Sequence, residues 1–339
     1  MITNLLPKHL HSSIYTAIKV IKSGNRIGLL QLFLYALSVL IIPIDYALSF
    51  FQQYMMKKRS SKGLPVIFIS GYSRSGTTLI YQVLSRVWDV EYFNNLLILF
   101  NRSYILANYI FRKFNSAKPR VFNSFYGLSW GLSGTNDGAQ LFYRWLDKRK
   151  FINGEDISSD TLERMKDFLE THEYYFQKPL LTKNCNNYLL FEQYAKSFPN
   201  AYFIFVKRAP EKVIKSTLKA REFIQGDSSI EWEFSVKETR EGNNEENPVE
   251  EIALNLKYCY DKIDYCKKYI PKERLIIINY EDFCCKPKEV IDDLTKKIFK
   301  STVNIDEVEN ELRNVKVSSG PPLETSEQEE ISTVVKKIF

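Results

Sequence analysis

Residues 64–88 read LPVIFISGYSRSGTTLIYQVLSRVW, and the rest of the chain is organised around them. An apolar, β-branched run from Leu64 to Ile69 predicts a strand. It enters a Gly/Ser/Thr loop, and Leu79, Val83, Leu84 and Val87 then recur at helical spacing. A strand, an anion-cradling loop and a helix are expected. Gly71 and Gly76 permit close backbone approach, and the free N–H groups at a helix start attract phosphate-like anions. The G-x-x-x-x-G-K-[ST] loop of nucleotide hydrolases follows its last glycine with a lysine that reaches the terminal phosphates. Here Thr77 and Thr78 follow Gly76, and the cation, Arg74, sits inside the loop. A planar guanidinium there can hold a phosphate or sulfate oxygen. The alternative is a plain turn between buried elements.

Downstream, PLLTKNCNNYLLFEQYAKSFPNAYFIFVKRAPEKVIKSTLKAR (179–221) predicts a short strand at Leu180–Thr182, a helix at Tyr188–Ser197, a strand at Ala201–Val206 and a helix from Pro210. Strands alternating with helices at this spacing predict an α/β fold with a central parallel sheet between helical layers. Ligands of such sheets bind beyond the carboxyl ends of the strands, where Arg74 and Arg208 both fall. A helix over 248–269, a strand over 274–279 and a final helix to Phe299 complete the pattern.

The R-S-G-T-T loop after a strand resembles the 5′-phosphosulfate loop of PAPS-dependent sulfotransferases. Their second motif, an arginine at a strand end with a serine eight residues on, is matched by Arg208 and Ser216. The resemblance covers roughly residues 64–300 and implies a three-layer, P-loop-like fold and a sulfotransferase with PAPS as co-substrate. Arg74, Ser75, Gly76, Thr77 and Thr78 are then expected to bind the donor's 5′ end, and Arg208 and Ser216 its 3′-phosphate. Lys183-Asn184 resembles a K-N-P segment with Cys185 in place of the proline, a weak match. Tyr280-Glu281-Asp282 resembles a third segment, read as structural. Relatives carry a glutamate or histidine soon after the loop helix; residues 94–100 contain neither. Glu91 precedes them as a residue ending a strand. The preferred base is Asp137, in the Gly/Ser/Asn-rich stretch 119–138, where burial would raise its pKa; an ordinary turn aspartate is the competing reading. His172 falls among aromatics as a packed or surface residue. A phosphate-loop kinase and a non-catalytic scaffold with a relic nucleotide fold are the rival functions.

Upstream, residues 28–51 are almost uncharged until Asp45, with cations on both sides: Lys19, Lys22 and Arg26 before, Lys57, Lys58, Arg59 and Lys62 after. About seventeen apolar residues lie at the short limit for crossing a bilayer. Spanning, in-plane and re-entrant placements, and a buried hairpin, all stay open, and the cations give no orientation. The expected organisation is a membrane-associated helical segment at 1–62, a sulfotransferase-like domain at 63–320 and a tail at 321–339. Expected partners are a membrane and a hydroxyl-bearing acceptor, a glycan or lipid.

Composition sets limits. The chain has 339 residues and a formal charge of +7, too mild and dispersed for nucleic acid. Five cysteines without C-x-x-C spacing and three histidines offer no zinc pattern, so no metal is expected. The odd cysteine count leans toward a reducing, cytoplasmic setting, with a Golgi-type lumen as the alternative. The acidic stretch 226–250 reads as a surface excursion or a cover for the site.

Overall fold

The computed structural model describes residues 8–56, 62–119, 124–146, 156–230, 247–305, 309, 312 and 325–339. Five parallel strands form the central sheet: β1 (Val66–Ser70), β2 (Glu91–Tyr92), β5 (Leu180–Lys183), β6 (Ala201–Lys207) and β7 (Leu275–Asn279), in the order β2-β5-β1-β6-β7. A separate hairpin pairs β3 (Ser124–Phe125) with β4 (Leu128–Ser129). β1 is central, with Ile67 beside Leu181 on one flank and Tyr202 on the other.

Alternation along the strands divides the core, because successive side chains leave opposite faces. Val66 and Phe68 of β1, with Phe203 and Phe205 of β6, join a cluster with Leu256 and Ile263 of helix Pro248–Cys266. Ile67 and Ile69, with Ile204 and Val206, pack instead against Ile80 and Leu84 of helix Thr77–Val87 and Leu294 of helix Pro287–Phe299. A sheet buried on both faces reads as a continuous apolar run, which is how β1 reads.

Element boundaries moved little. The predicted helix at 188–197 is a 3-10 turn, Asn187–Leu190, running into helix Phe191–Ser197. Ser158 caps helix Ser159–Phe176, accepting from the Thr161 N–H. Most of the acidic excursion, residues 231–246, lies outside the described residues. The segment after 320, expected as a tail, contains helix Thr325–Ile338, which buries Ile331 and Val334 in the main core.

The N-terminal segment forms two helices, α1 (Lys8–Ser23) and α2 (Arg26–Met55). α2 is continuous through Pro43 and is apolar and long enough to cross a membrane. One stripe of it docks on the domain. Along that stripe Gln31 Nε2 donates to Ser129 O at 3.1 Å and Gln52 Nε2 to Arg102 O at 2.9 Å. Asp45 accepts from the N–H of Arg102 (3.1 Å) and from the N–H and hydroxyl of Ser103 (3.0 and 2.7 Å). A carboxylate in an apolar helix thus serves the orphan N–H groups before helix Tyr104–Phe114.

Candidate active site

Four adjacent strands, β5, β1, β6 and β7, deliver residues at or just past their carboxyl ends to one rim. Tyr72 to Gly76 follow β1, Lys183 ends β5, Arg208 follows β6 and Tyr280 follows β7. All four strand ends contribute to a single cavity of about 560 Å³. The loop after β1 is built for close approach. Arg74 and Gly76 both adopt left-handed backbone, at φ 67° and 89°. A Cβ on Gly76 would lie 2.2 Å from the Tyr280 ring, and one on Gly71 2.7 Å from Val206 O. No side chain caps helix Thr77–Val87, so its first N–H groups are left for an anion.

The two arginine-bearing turns meet. Arg208 Nη1 donates to Arg74 O at 2.8 Å, and Arg74 Nε donates to the Ser216 hydroxyl at 3.0 Å. Arg208 is itself held by its own backbone: Tyr260 accepts from Arg208 N–H (3.2 Å) and donates to Arg208 O (2.6 Å). Its guanidinium lies 4.6 Å from the centre of the Tyr280 ring, a cation–π contact. Burial pushes the Tyr280 hydroxyl up to about 12, so it stays neutral beside that cation. Tyr280, expected to be purely structural, is part of the site wall.

Arg74, Gly76, Thr77, Thr78, Arg208 and Ser216 all line the cavity. Ser75 does not line it; its N–H closes a turn on Tyr72 O at 3.1 Å, so it shapes the loop rather than facing a ligand. Lys183, a weak match in sequence, is 7% exposed and lines the same cavity. Its position at the carboxyl end of a strand beside β1 was the available signal.

Asp137 lies at the cavity wall, but it is exposed rather than buried, and its carboxylate accepts from the Ala139 N–H at 3.1 Å. The burial invoked to raise its pKa is therefore not present. Its backbone is tied to the strand ends, Asn184 Nδ2 donating to Asp137 O at 3.3 Å. Among the described residues Asp137 is the only carboxylate lining the cavity, and no histidine does so. Glu91 is elsewhere, buried against Arg112 Nε at 3.1 Å, with burial raising its pKa. His172 is packed on Phe176, ring centres 4.5 Å apart.

Arg74, Lys183 and Arg208 line the cavity together with one carboxylate and with Gly76, Thr77 and Thr78 at the uncapped start of a helix. That donor set fits a multiply charged phosphate ester bearing a sulfuryl group. The sequence profile of the sulfotransferase family matches residues 65–298. This chain belongs to that family. The sulfotransferase uses PAPS as co-substrate and a hydroxyl-bearing compound as acceptor. Its fold is similar to that of sulfotransferase STF9 from Mycobacterium avium, with TM-score 0.56 and 16% identity over 86% of this chain and 80% of that one. Sulfotransferase STF1 from Mycobacterium tuberculosis H37Rv is also similar, with TM-score 0.54 and 10% identity over 95% and 90%. Comparison of the sulfotransferase sequence with curated proteins finds no match.

Proposed function

We propose that this sulfotransferase works at a membrane, on its cytoplasmic side, and modifies a hydroxyl of a glycan, glycolipid or other lipid-linked acceptor. The observation that carries the reading is the meeting of Arg74, Arg208 and Ser216 in a cavity whose wall includes Tyr35 of the apolar helix. All five cysteines are unpaired, which suits a reducing compartment.

PAPS supplies the sulfuryl group, and adenosine 3′,5′-bisphosphate is left behind. Arg74, Gly76, Thr77 and Thr78 hold the 5′ end through side chains and helix N–H groups, with Ser75 fixing the turn. Arg208 and Ser216 hold the 3′-phosphate. The Arg74 Nε bond to the Ser216 hydroxyl, at 3.0 Å, links the two groups of donor-binding residues. Lys183 adds positive charge where the leaving phosphate gains negative charge. Asp137 takes the acceptor's proton as its oxygen bonds to sulfur.

Calorimetry with adenosine 3′,5′-bisphosphate tests the donor site. Arg74→Ala and Arg208→Ala should each weaken binding ~10–100-fold, the loss of one charge-assisted pair; unchanged affinity in both overturns the assignment. Asp137→Asn should keep that affinity and lower the rate of labelled sulfate transfer to extracted membrane lipids ~100-fold or more. Wild-type transfer confined to soluble acceptors would exclude the lipid-linked substrate.

A further inference from the structure

The face of α2 turned away from the domain carries Leu29, Phe33, Val39, Leu40, Phe50 and Phe51, all exposed. On the opposite side a docked stripe runs through Ile27, Gln31, Leu34, Asp45 and Gln52, the full length of the helix. We infer that α2 lies in the plane of an anionic membrane surface, its free face sunk to the boundary of headgroups and acyl chains, and does not cross the bilayer. This rests on the membrane association proposed above and gives it a geometry.

Two observations exclude a crossing. The 30-residue helix is about 45 Å long at about 1.5 Å per residue, and the domain flanks it from Ile27 to Gln52. Lipid therefore cannot surround any whole turn of that stretch. A perpendicular placement would also carry Arg102 into hydrocarbon, because its guanidinium is bound to Tyr46, donating to the hydroxyl at 2.9 Å and lying 4.2 Å from the ring centre. In the plane, the same groups sit where water and headgroups satisfy them. Tyr46 and Tyr35 are eleven residues, or about three turns, apart on one edge of the helix. Each is bonded back to the domain, Tyr35 accepting from Gln140 at 3.2 Å. That edge is the polar rim of an apolar face.

Charge selects the occupant. Lys22 and Arg26 stand at the start of α2, and Lys57, Lys58 and Arg59 follow its end in sequence. Anionic headgroups complement the cations at the described end of the helix. A second copy laid parallel along α2 sets Lys22 and Arg26 beside the same two cations. Because Tyr35 both rims this face and lines the cavity, a lipid-linked acceptor would reach the site from headgroup level.

The test uses the full chain with Cys285→Ser and one spin label at a time, at Leu29→Cys, Leu40→Cys or Tyr54→Cys, all on the free face. Vesicles of phosphatidylglycerol and phosphatidylcholine are added from outside. Binding that weakens with salt and with neutral vesicles, and three labels at one shallow depth, is the expected result. Leu40→Cys deepest, with the other two at opposite leaflets, overturns the in-plane geometry and leaves membrane association standing. Absence of vesicle binding, or labels protected in a soluble dimer, overturns both. A Leu40→Glu/Phe51→Glu double variant should lose vesicle binding at least 10-fold, about 1.4 kcal/mol, with affinity for adenosine 3′,5′-bisphosphate unchanged.

Discussion

At Gly76 the backbone takes a left-handed turn with the Tyr280 ring against the position a Cβ would occupy. Gly76→Ala should therefore cost more than the ordinary ~1 kcal/mol of left-handed backbone, because Tyr280 must also move and Arg208 stacks on Tyr280. A lowered Tm together with weakened nucleotide binding is the expected outcome; a change in Tm alone would show that the ring is only packing. His172 makes a second residue-scale prediction. Burial, aided by the charge of Arg112, lowers its pKa to about 3, from 6.5. Below 6.5 the unfolded chain takes up a proton that the native chain refuses, so stability falls as pH drops from 6.5 toward 3, by ~1.4 kcal/mol per pH unit. His172→Phe should flatten that slope in urea titrations between pH 6.5 and 5. Arg74, Arg208 and Ser216 were legible as a set because chain order and strand ends place them. Tyr280 was not, since only the spatial meeting of β7's end with the Gly76 turn shows its contact. For Asp137 the sequence located the cavity wall but not the exposure, which depends on what covers it.

Among the elements, helices Pro210–Gln225 and Pro248–Cys266 are joined by Arg221, fully buried, with both Nη atoms on Glu251 at 3.0 Å. Glu251→Ala leaves a buried guanidinium uncompensated and should destabilise the protein by ~3–5 kcal/mol, measured by denaturant unfolding. Replacing both with apolar residues should recover much of that loss. Strands and helices of the sheet were legible almost to the residue, because two-sided burial makes the strands continuous apolar runs. The docking of α2 left a fainter trace. Gln31, Ser38, Asp45 and Gln52 recur every seven residues, two helical turns, and so share one side. That spacing marks a polar seam in an apolar helix, visible beforehand but masked by hydropathy, which averages over all sides. The long stretch 119–138 hid the β3–β4 hairpin because two-residue strands carry no periodicity.

For the molecule as a whole, sequence reasoning separated an N-terminal appendage from a catalytic body, and the contacts join them. Gln31 of α2 holds the backbone of Ser129, whose hydroxyl accepts from Gln82 Nε2, on the helix that opens at Thr77, at 2.9 Å. At the tip of the same hairpin, the Tyr126 ring lies 5.3 Å from the Arg74 guanidinium. Removing residues 1–62, the obvious solubilising truncation, should thus weaken binding of adenosine 3′,5′-bisphosphate as well as detach the protein from vesicles. Isothermal titration of the shortened chain against the intact one checks this, and equal affinity would show the hairpin holding its place unaided. The hairpin therefore acts as a brace with one foot on the apolar helix, at Ser129, and the other against the arginine of the donor loop, at Tyr126.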